Sequence, residues 1–164
     1  ENDWQEIQQQ INEALAKIKE FRIAEGASLE KEFVMRIENI RSLMNSAVSL
    51  DSERIETVKT RLRTAIEDLK ATVDENRYEQ ELIYYLEKYD ITEERVRLDN
   101  HLNYFLETMQ VEGSNGRKLG FIVQEMGREI NTMGSKANHS EMQKMVVQMK
   151  DELEKIKEQI LNVL

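Results

Sequence analysis

The sequence predicts an all-α protein of long, antiparallel, coiled-coil-like helices forming an elongated helical hairpin and bundle. Three observations predict it. Apolar residues recur at three- and four-residue spacing through most of the 164 positions, no Pro interrupts them, and no segment alternates with the two-residue period of a strand. Charged residues make up 34% of the chain and hydrophobic ones 40%, and because the apolar residues are periodic this composition points to amphipathic helices rather than disorder.

The first helical segment carries Trp4, Ile7, Ile11, Ala14, Ile18 and Phe21, then, after a disturbance at Glu25–Gly26, Leu29, Phe33, Ile37, Ile40 and Met44. Sustained heptads of this kind mark one arm of a coiled-coil-like hairpin. Gly26 permits a kink or a close approach, at about 1 kcal/mol relative to Ala. Asp51 or Ser52 can cap a second helix, whose stripe is Ile55, Val58, Leu62, Ala65, Leu69 and Val73. Return of that helix along the first buries both stripes. Residues 1–73 are therefore expected to form a hairpin arm, and residues 74–164 a bundle.

Within the bundle, Asp74 can cap a third helix bearing Tyr78, Leu82, Tyr85, Leu86 and Tyr89. Thr92 starts a fourth, with Val96, Leu102, Phe105 and Met109. The run Gln110 to Asn115, holding Gly113 and Ser114, reads as a loop. A fifth helix follows and is expected to stop near Gly134. Ser140 and Gln143 have capping-box spacing ahead of the last helix, whose seam is Met142, Val146, Met149, Leu153, Ile156, Ile160 and Val163.

The composition excludes several function classes. Without Cys there are no disulfides, thiolate metal sites or thiol nucleophiles. No apolar run spans a bilayer and no signal peptide is evident, so a cytoplasmic location is expected. A first residue of Glu rather than Met is expected of a fragment of something longer. A net charge of -9 argues against indiscriminate nucleic-acid binding but leaves room for a local basic groove. P-loop, dinucleotide-fingerprint, HExxH and GxSxG motifs are absent.

One segment departs from the Glu, Lys, Leu and Ile vocabulary of the rest. From Gly116 to Lys136 the chain is rich in Arg, Gln, Asn, Thr and Ser, has four basic residues against two acidic ones, and holds three of the six glycines at heptad intervals, Gly120, Gly127 and Gly134. On a helix, Leu119, Ile122, Met126, Ile130 and Met133 make a buried stripe. Arg117, Gln124, Arg128, Asn131 and Ser135 form one polar rail, and Lys118, Glu125, Glu129, Thr132 and Lys136 another, along roughly 27 Å. Arg can grip a phosphate through two donors, and Gln and Asn can address sugars or bases. Glu125 and Glu129, at i and i+4, can converge on one cation or serve as a general base, although such pairs also occur on plain solvated helices. Gly120, Gly127 and Asn131 together cost such a helix about 2–3 kcal/mol relative to Ala, which a merely solvated face does not explain.

A second cluster lies in YDITEERVRLDNH. Glu94, Arg97 and His101 share a face at i, i+3 and i+7, with Asp90 ahead of them. His101 with Asp90 or Glu94 can bind a divalent metal or titrate near neutral pH. The plainer alternative is a Glu94–Arg97 ion pair with His101 as its neighbour. His139, in a loop, is a weaker candidate. Tyr78, Tyr84, Tyr85 and Tyr89 could stack on bases, but their spacing equally suits a packing face.

These motifs resemble those of the bacterial YicC family. GRKLGFIVQEMGREINTMGSKA, followed by VVQMKDELEKIKEQILNV, is similar to the family's GRKLDFLxQExxREINTxGSK and the helix after it. DITEERVRLDNH resembles DIxEExxRLxxH, and RIAEGASL resembles RxxEGxxL, all in the family's order. Matched positions fall on Arg22, Glu25, Asp90, Glu93, Glu94, Arg97, His101, Arg117, Lys118, Gln124, Glu125, Arg128, Glu129, Asn131, Thr132, Ser135 and Lys136. Gly120 stands where the family usually has Asp.

The resemblance implies a cytosolic endoribonuclease or RNA-turnover factor that depends on divalent metal and assembles as a ring-like homo-oligomer, a hexamer. It also implies an N-terminal α/β domain that this chain lacks. On that reading Arg117, Lys118, Arg128 and Lys136 position phosphates, and Gln124 and Asn131 contact sugar or base. Glu125 and Glu129, with Asp90, Glu94 and His101, hold Mn²⁺ or Mg²⁺, with Glu125, Glu129 and His101 as the catalytic groups. Two alternatives stand beside it: a non-catalytic RNA-binding adaptor for another ribonuclease, and a purely structural oligomerisation module.

Overall fold

The computed structural model describes residues 2–68, 74–111 and 113–161, apart from the side chains of Asn2, Asp3, Ser52 and Asp68. It is all-α: the described residues form six helices and no strand, α1 (Asn2–Ser49), α2 (Asp51–Asp68), α3 (Glu75–Lys88), α4 (Thr92–Met109), α5 (Gly116–Lys136) and α6 (Ser140–Ile160). None is long and apolar enough to cross a membrane. Leu69 and Val73, and Val163 at the other end, lie outside the described residues, as does the Ser52 side chain.

The core is built by α1, α4, α5 and α6. Phe33, Ile37, Ile40 and Met44 of α1 meet Leu98, Leu102 and Phe105 of α4, the α5 stripe, and Met142, Val146, Met149, Leu153 and Ile156 of α6. Phe33 and Phe105 pack edge to face with ring centroids 5.5 Å apart. Polar clamps fix the register. Arg36 and Asn39 of α1 both donate to Glu152 of α6, at 3.2 and 3.0 Å. Arg41 pairs with Asp99 and Asn103 of α4.

The partner of α1 therefore differs from the expected hairpin. Its buried half packs on α6 and α4, whereas α2 turns away after the junction. Buried Arg54 in α2 donates to the Tyr89 carbonyl at 2.7 Å and pairs with Asp51 at 2.8 Å, which ties α2 to the end of α3. Ile55, Val58 and Leu62 are only half-buried as a result. The earlier part of the α1 seam, Trp4, Ile7, Ile11, Ala14, Ile18 and Phe21, is exposed. The cause is length. A helix of 48 residues runs roughly 72 Å and one of 21 residues only roughly 32 Å, so α6 cannot cover all of α1. Gln159 near the end of α6 lies beside the same cavity as Gly26 and Leu29, which marks where that cover stops.

Local signals fare unevenly. Asp74 caps α3, its carboxylate accepting from the N–H groups of Asn76 and Arg77. The loop before α5 is present, with Gly113 at φ 112°, a left-handed conformation that favours glycine. Gly134 does not stop α5, which runs on to Lys136. Ser140 and Gln143 form no capping box either. The Gln143 amide instead donates to the carbonyls of Gly134 and Ala137 at 2.6 and 2.7 Å, closing the end of α5. Val96, expected in the core, is exposed, because Glu94, Leu98, Leu102, Phe105 and Thr108 define the inward face of α4.

Candidate nucleic-acid interface

The central helix α5 is wedged between α4 and α6, and this separates its two polar rails. Lys118, Glu125, Glu129 and Lys136 line the edge that faces α4. Gly120, Gln124, Gly127, Arg128 and Asn131 line a shallow groove of about 480 Å³, shared with Lys157 of α6. Arg117, Phe121 and Ser135 stand on the outward ridge, all exposed.

Two of the glycines have a packing reason. A Cβ at Gly134 would lie 2.9 Å from Val146 Cγ1, and one at Gly127 would lie 3.3 Å from Leu153 Cδ2. They let α5 and α6 approach closely, so the low helix propensity at those positions is a structural requirement rather than a mark of chemistry. Gly120 is different, because a Cβ there meets nothing within 4 Å. A side chain at this position would have room, and would stand beside the α6 groove.

On the α4 edge, side chains pair in antiparallel register. Lys136 Nζ donates to Glu94 Oε1 at 2.7 Å and to the Asp90 carbonyl at 2.9 Å. Arg97 pairs with Glu93, one turn back, and its other guanidinium nitrogen lies 4.0 Å from Glu129. Lys118 Nζ sits 4.7 Å from the centre of the Tyr104 ring. His101 is one turn beyond Arg97 and one turn short of Tyr104, so helical spacing puts it on the α4 face from which those two residues meet Glu129 and Lys118. It is half-buried.

The expected Glu94–Arg97 pair is thus replaced by Glu94–Lys136 and Glu93–Arg97. Glu94 faces inward, and its second oxygen is buried without a hydrogen-bond partner. Lys136 is committed to this buried carboxylate and differs in that respect from Arg117 and Arg128. Arg128 is well exposed and meets Glu125 at 3.3 Å. Asp90 accepts from the hydroxyl and the N–H of Thr92. Those bonds hold its carboxyl below the usual range, hydroxyl first, against a smaller opposing effect of burial. His139 lies 4.0 Å from Glu53, away from this edge. Arg22 and Glu25 line a separate cavity of about 560 Å³ with Met109, Asn115 and Leu119.

The donor set is of hard oxygens with one imidazole, chemistry that suits Mg²⁺ or Mn²⁺. Among the described residues, however, no three His, Asp or Glu side chains converge on one point. Asp90 and Glu94 belong to the Lys136 end of the seam, while His101, Glu125 and Glu129 lie further along it. A complete protein cage is therefore not formed among the described residues. A pair of carboxylates such as Glu125 and Glu129 still fits an ion of the Mg²⁺ kind, which keeps its waters and completes its shell from substrate phosphates.

Phe121, Tyr104 and Lys157 border this surface as well. Phe121 is visible on a helical projection as an aromatic off the Leu119–Ile122–Met126 stripe. Lys157 required knowing that α6 lies along α5.

Fold and site together define a helical-bundle domain that displays a basic, amide-rich ridge on its central helix. The chain belongs to the YicC-like endoribonuclease family: the family model described as "Endoribonuclease YicC-like, C-terminal" matches residues 47–164. It is similar to a "Probable endoribonuclease YicC" of Clostridioides difficile (strain 630), with 37% identity over 163 residues that cover 98% of this chain and 56% of that protein. A protein of the same description from Haemophilus influenzae is 29% identical over 159 residues, covering 97% of this chain and 55% of that one. The chain spans about half the length of these curated relatives.

Proposed function

We propose that this chain is the RNA-holding helical part of a divalent-metal-dependent endoribonuclease. The observation that carries the reading is the outward ridge of α5. Arg117 is exposed on it, Gln124, Arg128 and Asn131 are exposed along the adjoining groove, and Lys157 lines that groove from α6, in a chain whose net charge is -9. Arg117, Arg128 and Lys157 would hold phosphates, with Lys118 at the flank beside Tyr104. Gln124 and Asn131 would address sugar or base edges. Lys136 moves from that set into the pairing of α4 with α5.

Glu125 and Glu129 would supply carboxylate oxygens for Mn²⁺ or Mg²⁺, and His101 would exchange a proton at the reacting oxygen. A divalent cation, when bound, polarises the scissile phosphate. Arg97 and Arg128, beside the two carboxylates, keep the edge from accumulating negative charge before phosphate arrives. The working protein is proposed to be a homo-oligomer, a hexamer, in the cytoplasm, and the uncovered α1 stripe offers apolar surface for such assembly.

The test uses full-length protein, end-labelled RNA and Mn²⁺. Cleavage is expected for the parent protein and is expected to be lost in the double variant Glu125→Gln, Glu129→Gln while RNA is still retained. Cleavage that persists in the double variant rejects these two residues as the centre. A second reading, a non-catalytic adaptor that presents RNA to another ribonuclease, is favoured by the lack of three converging ligands among the described residues and by Gly120. It predicts binding with no products and no metal requirement.

A further inference from the structure

We propose that Phe121 is a stacking platform for an unpaired base of bound RNA, an inference that rests on the RNA-holding reading of α5. Phe121 is 62% exposed in the middle of a well-packed helix. Its outward neighbours on α5 are Arg117 one turn before, Gln124 and Glu125 one turn after, and Arg128 two turns after, all polar. The ring therefore does not extend an apolar patch of the size that protein docking requires. It stands instead between two guanidinium groups whose positions on the helix are roughly 16 Å apart.

The neighbouring helix repeats the pattern. Tyr104 is 44% exposed, and the ammonium of Lys118, one turn from Phe121, lies over its ring at 4.7 Å. Lys118, three residues before Phe121 on α5, thus ties the exposed Tyr104 ring of α4 to the stretch of α5 that carries Phe121. Cations flanking aromatic faces are the composition by which proteins hold single strands: the cations track phosphates, and the rings accept bases irrespective of sequence. A duplex keeps its bases stacked on each other, so the platform selects unpaired RNA.

The experiment measures binding of full-length protein to a fluorescent single-stranded RNA, to a hairpin-free duplex of equal length, and to an abasic oligomer with the same backbone. Phe121→Ala is expected to weaken single-stranded RNA binding roughly tenfold, with little change for duplex or abasic oligomer. Phe121→Trp is expected to retain affinity and to show indole fluorescence quenched by RNA. Because the ring is exposed, circular dichroism and urea midpoints of both variants should match the parent.

If the parent binds RNA and Phe121→Ala binds it equally well, the platform is overturned while the RNA-holding reading stands. An equal loss on the abasic oligomer overturns it too, since no base is then involved. A parent protein that binds none of the three sinks both readings.

Discussion

Lys136, the last residue of α5, closes the α4–α5 pair by donating to Glu94 in the first turn of α4 at 2.7 Å. Its ammonium also reaches the Asp90 carbonyl, so one cation joins the end of one helix to the start of another and to the segment before it. The Glu94 side chain is only 5% exposed and that of Lys136 27%. The charge most in need of its partner is therefore the carboxylate.

Removal of either member is expected to have unequal effects. Lys136→Met leaves a buried, uncompensated carboxylate and should destabilise the chain by about 1–3 kcal/mol, below the cost of a fully buried pair because Lys136 is partly solvated. Glu94→Gln removes the charge as well as the bond and should cost less. Combining the two should recover part of the Lys136→Met loss. Urea unfolding of the parent, both single variants and the double variant gives the coupling directly, and additive losses would show that the two residues do not interact.

The reach of the sequence is clear at such residues. The α5 stripe and the α6 seam are readable because their periodicity is decided within one helix, and they are buried as the spacing requires from Leu119 to Met133 and from Met142 to Ile156. Glu94 was not assignable. It can face Arg97, three residues on, or Lys136, forty-two residues on, and only the α4–α5 register selects the second. The same limit explains the α1 stripe: heptads announce an apolar face but not which helix covers it, and α6 rather than α2 does so. Capping residues show it locally. Asp74 acts within two and three residues and is legible, while Gln143 serves the preceding helix through a loop whose shape the sequence does not reveal.

The glycines of α5 give opposed predictions for one substitution. Gly134→Ala places a methyl 2.9 Å from Val146 Cγ1, and should cost about 1–3 kcal/mol despite the better helix propensity of Ala. Gly120→Ala meets nothing within 4 Å, and should instead stabilise by up to about 1 kcal/mol. Val146→Ala in the Gly134→Ala background should restore much of the loss. Thermal midpoints that move in the same direction for both glycines would contradict the close α5–α6 approach at Gly134.

Acid should weaken the start of α4 through Asp90. Its carboxyl is lowered from 3.8 because the Thr92 hydroxyl and then the Thr92 N–H donate to the ionised form, with Lys136 and Arg54 adding smaller attraction. A group whose folded pKa lies below its unfolded one contributes stability that is complete above the unfolded value. That contribution is lost as pH falls through the folded value, here below 3.8. Asp90→Ala should therefore cost about 1 kcal/mol at neutral pH, the scale of a lost helix cap. Its unfolding midpoint should converge on the parent's in more acidic solution. A difference that stays constant down to the acid limb would show that the ionised carboxylate is not what holds Thr92 at the start of α4.

The cations of α5 should separate by their salt dependence. Arg128 is largely exposed, with Glu125 beside it at 3.3 Å, and Arg117 is exposed on the adjoining ridge, whereas Lys136 is held by Glu94. Each phosphate that a side chain neutralises in a single strand releases counterions, and contributes about 0.7 to the slope of log affinity against log salt. Arg117→Ala and Arg128→Ala should each weaken RNA binding and reduce that slope by about 0.7. Lys136→Met should leave the slope nearly unchanged even where it lowers stability, because its charge is already spent on Glu94. Binding isotherms of the full-length protein across a series of KCl concentrations make the comparison. A slope that falls for Lys136→Met as much as for Arg128→Ala would return Lys136 to the phosphate-binding set, and would mean that RNA draws it away from Glu94.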